Sequence, residues 1–210
     1  MRIQTFIAVL LMALALGPAR AQGATTIVLQ PAADLGLPFW CSWGYDWEER
    51  CYTDDGPRLP VGGVDDKVWR SAIRFPLGQI PAGASVAAAE LRLWYDGVCV
   101  GPRKTTRACG RSYAIDLRRI LSSDWRDERE VELDEDIEAG TTVLMGSAPH
   151  WLGWDVTGLV ERWHAGDVPN NGLLLGLAVD EEDLDVSGPY LPSMSYPDAT
   201  RRPRLVVTFS

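Results

Sequence analysis

The sequence predicts an all-β protein, a jelly-roll-type β-sandwich with one short amphipathic helix. Several segments alternate apolar and polar residues with a period of two, as half-buried strands do. Clusters of Gly, Pro, Asn and Asp separate these segments at hairpin-like distances. Helical periodicity is confined to one later segment. This combination is typical of antiparallel sheets that pack face to face.

Residues 1–21 are predicted to form a signal peptide. Arg2 provides a positive start, residues 6–16 form an uncharged apolar run, and Ala19-Arg20-Ala21 has the small-x-small pattern of a cleavage site. A retained membrane anchor is the weaker interpretation, because the apolar run is short for a bilayer. We therefore expect a secreted protein, extracellular or periplasmic, with one domain over residues 22–210 and no membrane insertion after cleavage.

The predicted strands follow in order along this domain. The segment 25–29 is β-branched, 68–77 and 86–95 alternate cleanly, and 172–179 is almost continuously apolar, as in a strand buried on both faces. In the third of these, Glu90, Arg92 and Trp94 are expected on a solvated outer face. Residues 40–63 and 97–110 are interpreted as long insertions. The remaining predicted strands are 111–117, 131–133, 141–144 and 204–209.

The helix is predicted over residues 154–166. Val156, Leu159, Val160 and Trp163 fall at i, i+3, i+4 and i+7, which places them on one face. Asp155 is suited to cap its first turn, and the glycine at position 166 is suited to end it. His164 is expected on its surface near the C-terminus, and His150 in a loop.

Four cysteines, Cys41, Cys51, Cys99 and Cys109, predict two disulfides in an exported chain. Three connectivities are open, and we favour the nearest-neighbour pairs, 41 with 51 and 99 with 109. Each pair brackets a polar, turn-rich insertion, and closing such a loop contributes roughly 3 kcal/mol. A tetracysteine zinc site is the alternative, but no spacing is of the Cys-x-x-Cys type.

Net charge argues against polyanionic partners. The full chain carries −9, and removal of Arg2 and Arg20 would bring it to about −11. Nucleic acid or an anionic membrane surface would be repelled by that field. A neutral polymer or a cation is the more natural partner.

Three sequence blocks resemble the DNRLRE-domain family of exported bacterial and archaeal proteins, which is similar to carbohydrate-binding modules. The resemblance implies a jelly-roll sandwich, secretion, and binding of a polysaccharide or cell-surface glycan. Two positions depart from the family pattern: Pro76 replaces an aspartate, and residues 193–197 lack a glutamate. The blocks are residues 70–94 (with RSAIRFPL, IPAGASV and AELRLW), residues 154–172 (with WDVTGLVERW and a closing NNG), and residues 202–209 (RPRLVVTF).

The candidate ligand site is the aromatic loop between Cys41 and Cys51. It carries Trp43, Tyr45, Asp46, Trp47 and Glu48, and flat rings beside carboxylates suit the apolar faces and hydroxyls of sugars. A disulfide would pre-organise such a platform. The alternative is that these aromatic residues cover one end of the sandwich as a small core.

The acidic runs are interpreted first as solvated loops, because none has the spacing of a defined calcium loop. Bound Ca²⁺ is the alternative, with Asp180, Asp183 and Asp185 as the candidate ligands. No cofactor is required by any motif.

Catalytic signatures are missing from the sequence: neither histidine belongs to a metal-binding helix motif, and there is no Gly-x-Ser-x-Gly elbow. The leading hypothesis is a non-catalytic glycan-binding module. The alternatives are a structural surface or matrix protein that contacts other proteins through strand edges or the aromatic patch, and, third, a polysaccharide lyase or glycosidase.

Overall fold

The computed structural model describes residues 23–38, 42–43, 49–50, 55–64, 67–101, 105–125, 131–143, 148–178 and 187–210. No helix among them is long and apolar enough to cross a membrane. Their elements, in chain order, are β1 (Thr25–Leu29), β2 (Ala33–Pro38), β3 (Ser42–Trp43), β4 (Glu49–Arg50), β5 (Arg58–Val64), β6 (Lys67–Arg74), β7 (Val86–Tyr95), β8 (Val98–Val100), β9 (Thr106–Ala108), β10 (Tyr113–Ile120), β11 (Leu133–Val143), β12 (His150–Asp155), α1 (Thr157–Ala165), β13 (Leu173–Leu177), β14 (Ser187–Pro192) and β15 (Arg204–Phe209).

Two antiparallel sheets form the sandwich. The front sheet has the strand order β1-β15-β7-β12, and the back sheet has the order β11-β10-β13-β6-β5-β14-β8-β9, with β2 also paired to β6. Strands β3 and β4 form a separate ribbon that pairs Ser42 with Arg50 and Trp43 with Glu49. The predicted all-β class is confirmed, while the jelly-roll connectivity stays a prediction.

One buried cluster joins the two sheets. Leu91 and Leu205 of the front sheet belong to it together with Ile73 and Leu175 of the back sheet. Each of these side chains is 0 or 1% exposed. Burying such an aliphatic side chain contributes about 1.5–3 kcal/mol. The alternation predicted for residues 86–95 is confirmed, because the inward residues of β7 are buried and the outward ones are partly exposed.

The back sheet is also covered on its far face. All five residues of β13 are buried, as the continuous apolar run predicts. Leu174 of β13 and Ala72 of β6 belong to a second cluster with Trp125. The alternation of residues 68–77 predicts that Ala72 lies on a solvated face with Arg70 and Arg74. That expectation is wrong, because the second cluster shields Ala72 from solvent.

The helix begins later than the sequence predicts. Trp154 and Asp155 belong to β12, where they pair with Leu91 and Glu90 of β7. Asp155 does not occupy the cap position, but its Oδ1 accepts hydrogen bonds from Thr157 N (3.0 Å) and Oγ1 (2.6 Å). The predicted end is confirmed, since the glycine at position 166 adopts a left-handed φ of 80°. The buried face carries Leu159, Val160 and Trp163, as expected.

The Cys99–Cys109 disulfide is confirmed, with a Cα–Cα distance of 4.9 Å. It bridges the hairpin of β8 and β9, in which Cys99 pairs with Arg107. The predicted insertion at 97–110 therefore contains a disulfide-bridged hairpin, and Cys99 is completely buried. The other predicted pair, Cys41 and Cys51, lies outside the described residues.

Three further expectations about strands are wrong. Residues 58–64 are not part of a long loop but form β5, which pairs with β6 and β14. The separate strands expected at 131–133 and 141–144 are replaced by β11, which pairs with β10 from Leu133 to Val143. His150 opens β12 instead of lying in a loop. In each case, pairing with a neighbouring strand overrides weak local signals.

Candidate protein-binding surface

The predicted ligand and metal residues fall almost entirely outside the described part of the chain. For Trp43 the structure gives only the backbone, in β3. The other loop residues are not described (Tyr45, Asp46, Trp47 and Glu48). Neither is the predicted calcium set (Asp180, Asp183 and Asp185). Among the described residues, no group of three or more His, Cys, Asp or Glu side chains is arranged to hold a metal ion.

The outer face of the front sheet carries a second aromatic patch. Strand β12 pairs antiparallel with β7, which sets Trp151 directly opposite Trp94 and Gly153 opposite Arg92. On the other side of β7, Arg204 of β15 is opposite Arg92. Side chains of alternate residues share one face of a strand, so these residues lie together away from the core. We call Trp94, Trp151, Arg92, Arg204 and the neighbouring Arg201 the tryptophan–arginine face.

Ring contacts hold this face in a defined geometry. The rings of Trp94 and Trp151 meet edge to face with centroids 5.4 Å apart. The guanidinium of Arg204 lies over the ring of Trp151 at 3.7 Å from its centroid, and that of Arg201 lies 5.6 Å from the centroid of Trp94. Aromatic pairs and cation–π contacts of this kind each contribute about 0.5–1.5 kcal/mol.

Carboxylates neutralise two of the three arginines. Glu90 accepts hydrogen bonds from Arg92 Nε (2.8 Å) and Nη2 (2.5 Å). Asp198 lies 3.0 Å from Arg201 Nε. Hydrogen bonds from Thr200 hold the pKa of Asp198 below its ordinary value, with Arg201 acting in the same direction. Asp198 therefore remains ionised beside its arginine at neutral pH.

Arg204 has a different environment. Burial lowers the pKa of its guanidinium, and Arg92 lowers it further, while Glu90 opposes both effects. Its Nε is buried and has no hydrogen-bond partner, and the same holds for the indole Nε1 of Trp94. The face therefore combines rigid aromatic surface with positive charge. Tryptophan and arginine are the side chains most enriched at energetically important positions of protein interfaces.

Sequence reasoning missed this surface. Alternation correctly predicts that Trp94 lies on an outer face, but it indicates only a solvated surface there. The sequence does not predict the strand that carries Trp151. The local signal is weak, because Trp151, Leu152 and Trp154 are all apolar and do not alternate with polar residues.

The comparisons with known proteins identify the family. The model of the TGF-beta propeptide family matches residues 59–206, which is well over half of the chain. The matched segment runs from β5 to β15 and so includes the tryptophan–arginine face. No curated protein matches the chain.

This match overturns the resemblance to the DNRLRE-domain family. The blocks that suggested it are architectural: they coincide with β6, β7, α1 and β15 and supply core and turn residues. Asn170 Nδ2, for example, donates to the Phe75 carbonyl (2.9 Å), and Asn171 Nδ2 donates to the Leu121 carbonyl (2.6 Å). Residues that build a sandwich carry no information about its ligand.

The functional predictions that depended on that resemblance are corrected with it. A carbohydrate-binding role and a polysaccharide or glycan partner are wrong, because the matching family is one of propeptides. TGF-beta propeptides are secreted, which agrees with the predicted export, and the family is non-enzymatic, which agrees with the expected lack of catalysis. The chain therefore belongs to the TGF-beta propeptide family.

Proposed function

We propose that the chain is a secreted, non-enzymatic module that acts by binding another protein outside the cell. The partner class is a growth factor of the TGF-beta type, for which the family is named. The observation that carries this proposal is the family match over residues 59–206, which spans both sheets of the sandwich. We also propose that residues 22–210 form a single domain.

The tryptophan–arginine face supports a role in protein binding. Trp94 and Trp151 are half-buried, so each presents a large apolar surface whose position is already fixed. The side chains of Arg92 and Arg201 are 38% and 44% exposed. Binding of a partner to this face would cost little side-chain entropy in this chain, because its two indole rings are already ordered.

Direct binding measurements test this proposal. The purified chain is immobilised and titrated with a purified dimeric growth factor of the TGF-beta type. We expect saturable binding, and we expect Trp151→Ala to weaken it at least about ten-fold, as removal of a central interface tryptophan does. Urea unfolding of each variant establishes that the sandwich remains folded.

Ile137→Ala is the matched control. Ile137 is 51% exposed, but it lies on β11 at the far edge of the back sheet. Its removal should leave the dissociation constant within about two-fold, because isolated surface residues outside an interface contribute little. No binding by the wild-type chain, or equal losses in the two variants, would contradict the proposal.

A second candidate role is self-association as a surface or matrix protein through the edge strand β1. This strand is the last of the front sheet in the described part of the chain, and its Val28 is 51% exposed. Edge strands are natural templates for pairing with another chain. Sedimentation velocity of wild type and of Val28→Lys tests this role. A dimer that disappears in the variant would favour it, and a monomer at all concentrations would count against it.

A further inference from the structure

The charges of the tryptophan–arginine face are unevenly compensated. Arg92 is paired with Glu90, and Arg201 is paired with Asp198. Among the described residues, no carboxylate forms an ion pair or hydrogen bond with Arg204. Glu90 attracts Arg204 electrostatically, but it is hydrogen-bonded to Arg92. Arg204 is therefore the one arginine of the face that lacks a hydrogen-bonded counter-charge among the described residues.

The fold holds Arg204 in an unfavourable electrostatic position. The strand register sets it directly opposite Arg92, and like charges directly opposite on neighbouring strands destabilise a sheet. Stacking on Trp151 at 3.7 Å fixes the guanidinium plane and partly removes it from water. Desolvated charge without a hydrogen-bonded counter-charge is costly, so an added anion at this point would be favourable.

The polar groups of the face left without partners are donors. Arg204 Nε and Trp94 Nε1 both lack an acceptor, but both atoms are buried, so a ligand would meet the guanidinium at its terminal nitrogens. An arginine side chain has no acceptor atoms of its own. Apolar ring surface surrounds these donors. A complementary ligand would therefore bring an anionic acceptor on a chain with enough apolar area to cover two indole rings.

We propose that the tryptophan–arginine face binds an acidic polypeptide segment of the protein partner, with a carboxylate of that segment paired to Arg204. This inference rests on the proposed function in one respect: because the partner is a protein, we choose a polypeptide as the ligand and not a small anion. Charge-assisted hydrogen bonds to a guanidinium are among the stronger contacts available, and the forked geometry of arginine suits a carboxylate. The stacked position of Arg204 reduces the entropy lost when that contact forms.

A titration with a defined acidic peptide tests this inference without the growth factor. The ¹⁵N-labelled chain is titrated at low salt with end-blocked hexaglutamate, and the indole N–H signals of Trp94 and Trp151 are followed by NMR. Single Trp→Phe variants assign the two signals. We expect both signals to shift saturably, and we expect about 0.5 M salt to suppress the effect. End-blocked hexaglutamine should produce no shift.

Two variants locate the binding charge. Arg204→Gln should weaken hexaglutamate binding about ten-fold or more, as loss of a charge-assisted contact does. Arg111→Gln is the matched control. Arg111 also lies over an aromatic ring, with its guanidinium 5.5 Å from the ring centroid of Tyr113, but it stands two residues before β10 of the back sheet. This control should bind within about two-fold of wild type.

Three results would overturn the inference. Indole signals that do not move with hexaglutamate would show that the face has no affinity for acidic peptide. Equal losses of hexaglutamate affinity in the two arginine variants would show that the effect comes from the total charge of the chain and not from Arg204. Sulfate that shifts the indoles as strongly as hexaglutamate, at equal charge concentration, would make this a simple anion site. If hexaglutamate binds as expected and the growth factor does not, the proposed partner class fails while this inference stands.

Discussion

The disulfide-bridged hairpin offers the sharpest test of how the sandwich is stabilised. Cys99 is completely buried in the core, and its partner Cys109 lies ten residues further along the chain. Constraining a loop of that length in the unfolded chain is worth about 2.7 kcal/mol. The double variant Cys99→Ala/Cys109→Ala should therefore lower the free energy of unfolding by about that amount.

Urea unfolding followed by tryptophan fluorescence measures this change. With an m-value of about 2 kcal/mol/M, the transition midpoint should fall by about 1.3 M. Thr106→Ala is the control within the same hairpin, because Thr106 is exposed in β9. It should change stability by no more than about 0.5 kcal/mol. A loss below about 1 kcal/mol in the double variant would refute the reasoning from loop entropy.

Three further substitutions test individual positions. Burial raises the pKa of Asp34 from 3.8 to about 6, against the hydrogen bond from Met194 N. The folded state then holds a proton that the unfolded state has lost, so the free energy of unfolding falls as pH rises between those values. Asp34→Asn should flatten this slope in urea unfolding from about pH 4 to about pH 7. Gly172→Ala should destabilise the chain by more than about 2 kcal/mol, because φ is 101° and a Cβ would lie 2.6 Å from Trp125 Cζ2. Gly158→Ala should stabilise it by about 0.5–1 kcal/mol, because that helical position has open space around it.

Each of these predictions has a contradicting result. An unchanged pH slope in Asp34→Asn would show that another group titrates in this range. Similar unfolding midpoints for the two alanine variants at glycine positions would show that backbone conformation and local space do not govern their stability. Both outcomes are read from the same urea titrations.

The sequence predicts those elements whose own residues carry a clear apolar pattern. Strand β7 alternates over its full length, β13 is apolar throughout, and α1 has a four-residue apolar stripe and a terminal glycine. Burial on one face, on both faces or on a stripe produces these patterns directly. The segment Val86–Tyr95 was therefore predicted with its correct bounds and faces.

Elements stabilised mainly by distant partners were not predictable in this way. Strand β5 contains Pro60, Gly62 and Gly63, which locally indicate a turn, yet it pairs with both β6 and β14. Trp154 lies just before the helical stripe that starts at Val156, and its pairing with Leu91 places it in β12 and not in the helix. Tertiary contacts outweigh local propensity at such positions.

The candidate surface was missed for the same reason. Trp94 was placed on the outer face of its strand, but its importance depends on Trp151 and Arg204, which two other strands bring beside it. Cross-strand pairs become visible only when the register is known. The aromatic loop that the sequence favoured lies outside the described side chains, and its predicted ligand was derived from a resemblance that the family match replaces.

Hydroxyl-radical footprinting of the complex with a TGF-beta-type growth factor tests the central claim most directly. Indole rings are readily oxidised, so mass spectrometry reports the exposure of Trp94 and Trp151 individually. The account predicts that both tryptophans are oxidised in the free chain and protected in the complex, while the oxidation of Ile137 on β11 is unchanged. Unchanged oxidation of both tryptophans in a saturated complex would contradict it, because the partner would then bind elsewhere.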